Sequence, residues 1–229
     1  MIEVHGGDER YRGGDADVGI ESLHAFSFGP HYDPDNLRFG ALTACNEERL
    51  AAGAGFGEHP HQDTEIVTWV IEGTLTHRDS TGRATVVRPG DVQRLSSAGG
   101  VRHVERNDGP KPLRFVQMWL TPTVFGGQPE YEVVRGIADG TPYALPRAGA
   151  LLHVRRLAGG ERSAVPDAPR VYVHVVRGAV RLGGGEVPQD SRLTAGDAAR
   201  VTDAKGLEAL AEEDAECLIW EMGAEPTYG

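Results

Sequence analysis

Cysteine is scarce in this chain of 229 residues: Cys45 and Cys217 are the only two, far apart and in no CxxC pair. That removes a thiolate metal site and a redox dithiol from consideration, and two reduced, packed thiols are expected. Disulfide staples are not needed at this length. Long apolar runs are missing as well. The opening MIEVHGGDERYRGG has no leader-like apolar segment, and no later run approaches the ~20 residues of a membrane span. A soluble, cytoplasmic protein with no membrane partner is the expectation. Positive charge is short, with 23 Lys and Arg against 34 Asp and Glu and a net charge of −11. No basic cluster breaks that balance, so direct nucleic-acid binding is not expected. Long helical patterns are few, whereas 31 glycines and 14 prolines point to many short strands and turns.

What is present is a set of metal-ligating side chains between Gly57 and Asn107. GEHPHQDTE carries His59 and His61, and GGVRHVERN carries His103 and Glu105. Residues two apart on a strand share a face, so each pair makes a pincer. Three imidazoles and one carboxylate form a borderline-soft set, suited to transition metals and poor for calcium or magnesium. A mononuclear metal site inside a small β-barrel follows from this spacing. HxH followed some forty residues later by HxE is far more specific than either pair alone.

Taken in order, the chain reads as an all-β protein. A short edge strand is expected at Ile2 to Val4, a core-facing one bearing Leu23, Phe26 and Phe28, and another from Leu37 to Ala44. NEERLAA is open to a helical turn. The following Gly-x-Gly-x-Gly is a tight loop into the metal strand and not a dinucleotide fingerprint, since no helix-forming segment follows it. EIVTWVIEG, a hairpin at STGR, paired strands about Pro89-Gly90-Asp91, and the apolar LRFVQMWL complete an antiparallel sandwich or barrel. Residues 121–149 read as a linker holding one short strand near Tyr131 to Val134.

The second half repeats the first faintly. VVRG ending at Gly178 matches VIEG ending at Gly73, and LTAGDAARV matches VRPGDVQRL. The same alignment puts Ala209 and Ala211 at the places of His103 and Glu105, and Ala164 and Pro166 opposite His59 and His61. All four ligands are missing from the second copy. The repeat also turns GLEALAEEDAECLIWEM, which has helical propensity, into two strands hinged near Glu213-Asp214.

HPHQDTEIVTWVIEG, HRDSTG and GDVQRLSSAGGVRHVERN together resemble the first cupin domain of the pirin family, including its bacterial quercetinase-like members. The resemblance is dense over about residues 20–120 and thin beyond Val133. It implies a bicupin of two tandem antiparallel β-barrels, with an N-terminal domain at 1–133 and a C-terminal domain at 134–229. It also implies one metal held by His59, His61, His103 and Glu105 in the N-terminal barrel. Trp69 stands where a tyrosine is common in the family, and Val104 where a small residue is common. Bacterial members include enzymes that cleave flavonols such as quercetin with O₂, whereas animal pirin is described as a nuclear cofactor of transcription factors.

The resemblance therefore implies a quercetin 2,3-dioxygenase, with a small flavonol-like substrate and O₂ as partners. Iron(II) is the first choice of metal, and nickel, copper, manganese, cobalt or zinc are alternatives. Four protein ligands leave two positions of a six-coordinate metal open, and Glu105 is the expected base. Ring opening would release carbon monoxide and a depside. Phe115, Met118, Trp69 and Trp119 are candidate walls for a flat aromatic ring. Glu65 is a rival carboxylate, ranked behind Glu105 and given either a structural role or one in orienting a ligand imidazole. His77 reads as a turn or surface histidine. His24 and His31 are candidates for the barrel mouth, and His5, His153 and His174 are structural. Arg102 and Arg106 flank the second pair, but strand alternation turns them away, which counts against a sugar-phosphate isomerase. A metal- or redox-sensing module that docks on an enzyme or transcription factor keeps the same four ligands and is the alternative. Two barrels on one chain already cover the faces that single cupins bury by dimerising, so a monomer is expected.

Overall fold

The computed structural model describes residues 1–185 and 191–224. Strands make up the whole framework: β1 (Ile2–His5), β2 (Tyr11–Asp15), β3 (Ile20–His24), β4 (Leu42–Leu50), β5 (Gly55–His61), β6 (Glu65–Glu72) and β7 (Leu75–Asp79) come first. They are followed by β8 (Ala84–Val87), β9 (Val92–Ser96), β10 (Val101–Arg106), β11 (Leu113–Leu120), β12 (Glu130–Val134), β13 (Tyr143–Leu145) and β14 (Ala150–Leu157). The last are β15 (Arg162–Ala164), β16 (Arg170–Arg177), β17 (Ala179–Gly183), β18 (Ser191–Thr194), β19 (Ala198–Thr202), β20 (Glu208–Ala211) and β21 (Ala215–Met222). Two short 3₁₀ turns, Ala16–Val18 and Pro146–Ala148, are the only helical elements among the described residues. Among the described residues no helix is long and apolar enough to cross a membrane. Every strand pairing is antiparallel, as the expected all-β class requires.

Two compact units form. The first comprises residues 11–38 and 42–137; the second comprises 1–10, 39–41 and the described residues from 138 onward. The expected division after residue 133 differs from this in two ways. Val134 still pairs with Val92 in the first unit, because β12 runs along β9. The N-terminal strand β1 pairs with β19 of the second unit, Val4 opposite Ala199.

In the first unit a seven-stranded sheet has the order β12-β9-β6-β11-β4-β3-β2, and a four-stranded sheet has the order β5-β10-β7-β8. One apolar cluster joins them: Ile20, Leu50, Val70, Leu113 and Phe115 from the large sheet meet Leu75 and Val87 from the small one. The expected barrel is therefore an open two-sheet sandwich, with no ladder joining the edges of the two sheets among the described residues. The chain changes sheets at corners. At one of them the buried Asn107 amide donates to the Leu50, Ala51 and Lys111 carbonyls at 3.0, 3.0 and 2.8 Å. Such corners satisfy the backbone without continuing a ladder. NEERL is strand and not helix: β4 lies between β3 and β11, and those ladders override its local propensity.

The second unit repeats the plan, with sheets β1-β19-β16-β21-β14-β13 and β15-β20-β17-β18. GLEALAEEDAECLIWEM is two strands, β20 and β21, as the repeat predicts. The repeat extends to its irregularities. Ile71 and Val176 are skipped at equivalent bulges of β6 and β16, just before Gly73 and Gly178. Both glycines have positive φ, 78° and 72°, and a Cβ at either would strike a facing carbonyl, that of Pro112 or Asp214.

Candidate metal centre

The first pincer owes its aim to a bulge. Across β5 and β10, His103 pairs with His59 and Glu105 with Phe56, so three steps on β5 oppose two on β10. The extra residue rotates the HPH segment relative to GFG. Gly55 allows the close approach, since a Cβ there would lie 2.6 Å from the Glu105 carbonyl oxygen. The glycine-rich stretch thus does lead into the histidine strand, as its sequence suggests.

His59, His61 and His103 converge. Their ring centroids lie 4.9 Å (59–61), 4.4 Å (59–103) and 4.9 Å (61–103) apart. One nitrogen from each falls within 4.8 Å of the other two. His59 Nδ1 is 2.8 Å from the Gly57 carbonyl oxygen, to which it donates as an N–H, leaving Nε2 as the free lone pair. His103 is buried and has no hydrogen-bond partner at either ring nitrogen, and His61 has none at Nε2. Burial, reinforced by the neighbouring histidines, lowers His61 to about 4 and His103 to about 3. Both are therefore neutral near pH 7, with lone pairs available. Orphaned, neutral imidazoles in a shared cluster are what a borderline transition metal satisfies.

Glu105 is buried on the same strand face as His103. It groups within 4.8 Å with His103 and His77, so the two candidate triads share His103. Both Glu105 oxygens accept from Gln117 Nε2, at 3.0 and 2.8 Å. Gln117 Oε1 accepts from Trp119 Nε1 at 3.0 Å. Trp119 packs edge-on to His61 with centroids 4.9 Å apart, and Phe28 packs edge-on to Trp119. His59, His61, Phe28 and Trp119 are half-buried, whereas His77, His103 and Glu105 are fully enclosed, so the cluster opens on the His59–His61 side.

Several single-residue expectations need correction. His77 is no surface histidine: it is fully buried, opposite Glu105 on the β7–β10 ladder, bonded to Asp79 at 3.2 Å and stacked on Tyr131. The alternation Leu75-His77-Asp79 was the signal, because it continues the inward face of the strand. For Glu65 the structural one of the two expected roles is what the ladder fits. Glu65 lies on the reverse face of β6, where it accepts from the Ser96 hydroxyl. Trp69 and Met118 share that reverse face by strand parity, while Phe115 and Trp119 face inward as expected. His24 faces inward opposite Asn46, and His31 sits on the surface against Tyr11, its Nε2 on the Arg12 carbonyl. Gln117 was missed altogether, although it is the lone amide in the apolar run LRFVQMWL.

The second unit shows what the fold requires without this chemistry. Register places Ser163 against Ala209, as His59 stands against His103, and the Val165 amide meets the Leu207 carbonyl. The counterparts of His59 and His61 are therefore Ser163 and Val165, one residue before those expected by counting. Ala211 faces Val180 as Glu105 faces His77. Across the first unit's large sheet a row of polar side chains, Asn46, Gln117, Thr68 and Gln93, lies in register. Its counterparts are His153, Ile219, Val173 and Ala199. The second interior is an apolar core of Val, Leu, Ile, Ala and Cys217.

Two family models match the two halves of the chain. The family model described as Pirin matches residues 8–120, and the one described as Quercetinase C-terminal cupin domain matches residues 147–222. A Mycobacterium tuberculosis protein named "Putative quercetin 2,3-dioxygenase" is 42% identical over 90% of this chain and 89% of its own. One named "Quercetin 2,3-dioxygenase" from Escherichia coli K12 is 34% identical over 97% of this chain and 99% of its own. The crystal structure of the bacterial pirin YhhW from E. coli, in complex with nickel(II), superposes with a TM-score of 0.87 at 31% identity, covering 97% of this chain and 99% of that one.

Proposed function

The chain belongs to the pirin family, and from that premise we propose that it is a metal-dependent dioxygenase. In this reading it opens flavonols such as quercetin with O₂ at one transition metal held by His59, His61, His103 and Glu105. The observation that carries it is the convergence of three imidazoles whose free or orphaned nitrogens have no other partner to satisfy them. The names of the relatives support the reaction class, and the nickel complex of a structural neighbour supports a divalent transition metal. Iron(II) is the metal proposed first, with nickel next.

A metal bound there would supply Lewis-acid and redox chemistry toward an enol and O₂. The rest is work for the chain. His61 and His103 stay neutral at working pH, so they need not shed protons to act as ligands. Glu105 accepts the proton of the flavonol 3-hydroxyl on a carboxylate oxygen, since among the described residues it is the carboxylate grouped with His103, the imidazole that both triads share. Phe28 and Trp119 offer flat apolar surface at the open side. Phe115, Leu113 and Val70 keep the floor of the sandwich dry.

The test is to strip the full-length protein of metal and reload it with iron(II), nickel(II) or copper(II). Quercetin absorbance, O₂ uptake and carbon monoxide release are then followed together. Loss of all three signals in Glu105→Ala, with turnover in the parent protein, supports the assignment. Quercetin left untouched by every loaded form rejects it, and a surface that changes with metal oxidation state would then favour a sensing module.

A further inference from the structure

The Gln117 side chain is fastened at both ends. Its nitrogen serves the two Glu105 oxygens, and its oxygen takes the Trp119 indole N–H. An indole N–H only donates and a carboxylate only accepts, so the amide has one acceptable orientation. Flipped, it would set its NH₂ against the indole N–H and its oxygen against the carboxylate. The amide is buried, and an unmet polar group there would cost free energy.

This strut reaches both pincers, because Trp119 also touches His61. Without it, the carboxylate would be free to turn about its side-chain torsions. The fold itself does not demand it. Ile219 takes the position of Gln117 in the second unit, where Ala211 takes that of Glu105, so the amide and the carboxylate disappear together.

We propose that Gln117 is a positioning residue for Glu105, with Trp119 acting through it, and that the pair sets how tightly and in what geometry the cluster takes a transition metal. This rests on the metal assignment above.

The experiment uses full-length, metal-stripped protein titrated with cobalt(II) against a chromophoric chelator, with the visible d–d spectrum recorded alongside. Gln117→Met keeps length and removes both hydrogen-bonding ends; Trp119→Phe keeps a ring and removes the N–H. Gln117→Met is expected to weaken cobalt binding about 10- to 100-fold, the range for loss of an outer partner of a metal ligand, and to alter the d–d bands. Trp119→Phe should weaken it about 3- to 10-fold, the loss of one hydrogen bond. The double variant should bind no more weakly than Gln117→Met, because the indole acts through the amide. Unchanged affinity and spectrum in Gln117→Met, or additive effects in the double variant, would overturn the proposal. If the parent protein takes no cobalt, the metal assignment falls and this inference with it. Cobalt bound by the parent and equally by Gln117→Met removes only this inference.

Discussion

His77 stands directly opposite Glu105 on the β7–β10 ladder, its imidazole closed on Asp79 at 3.2 Å and stacked on Tyr131 with centroids 4.5 Å apart. A fully enclosed ring with such partners contributes to the fold as well as to the neighbourhood of the cluster. His77→Ala should cost about 2–4 kcal/mol in metal-free protein, through a cavity and an abandoned polar partner. His59→Ala, on the open side, should cost less than about 1 kcal/mol. Denaturant titration of both variants separates the two, and equal costs would contradict the burial argument.

Metal content provides the second check. His59→Ala, His61→Ala or His103→Ala should each lower bound metal by more than the ~10–100-fold expected for an outer partner. In the parent protein, metal at a hundred times its dissociation constant stabilises the folded state by about 2.7 kcal/mol. A chelator should then lower the melting temperature by roughly 5–10 °C. Calorimetry with and without chelator measures it, and no shift would argue against a site in the folded state.

Stability should depend on pH with two opposed slopes in metal-free protein. His61 and His103 are held below the usual 6.5, at about 4 and 3, so the unfolded chain binds more protons below pH 6.5. Their contribution is complete above that pH and is lost on acidification. Glu48 behaves in the opposite sense. Burial raises it from 4.5 to about 8, with the Ser22 hydroxyl bond opposing and the Glu105 charge adding to the rise. The native state thus holds a proton that the unfolded chain releases above 4.5, and the stability it brings is lost as pH rises through 8. Glu48→Gln should flatten the alkaline decline and leave the acid limb in place. Urea midpoints from pH 5 to 9 would show it, and an unchanged alkaline limb would count against the buried acid.

The second unit supplies a control. Ala211→Glu places a carboxyl in the apolar core where Glu105 has its counterpart, and Ile219, Val180 and Ala209 stand there in place of Gln117, His77 and His103. A loss of about 3 kcal/mol or more, or failure to fold, is expected, with no gain in bound metal. A second equivalent of cobalt in that variant would mean that the carboxylate alone makes a site.

How much of this was legible beforehand differs from residue to residue. Alternation and turn residues read β6, β7, β8 and β11 correctly, and the internal repeat read β20 and β21 against their helical propensity. Both succeeded because a strand's facing is local, set by a period of two. His59, His61 and His103 could be paired from spacing for the same reason. What failed depended on distance in sequence. The route of β1 to β19, nearly two hundred residues away, has no local signal. Parity relative to the sandwich interior separated Glu65, Trp69 and Met118 from the residues that face the cluster, and only the ladders fix that parity.

The sequence by itself determined an all-β chain, two copies of one plan, and a set of candidate ligands confined to the first, because these follow from side-chain type and from strand and turn periodicity. Only tertiary structure decided that the sheets stay open, that His77 joins His103 and Glu105, and that an amide from a strand on the other sheet fastens the carboxylate. Those facts rest on which faces meet across the sandwich, and no stretch of chain carries that information alone.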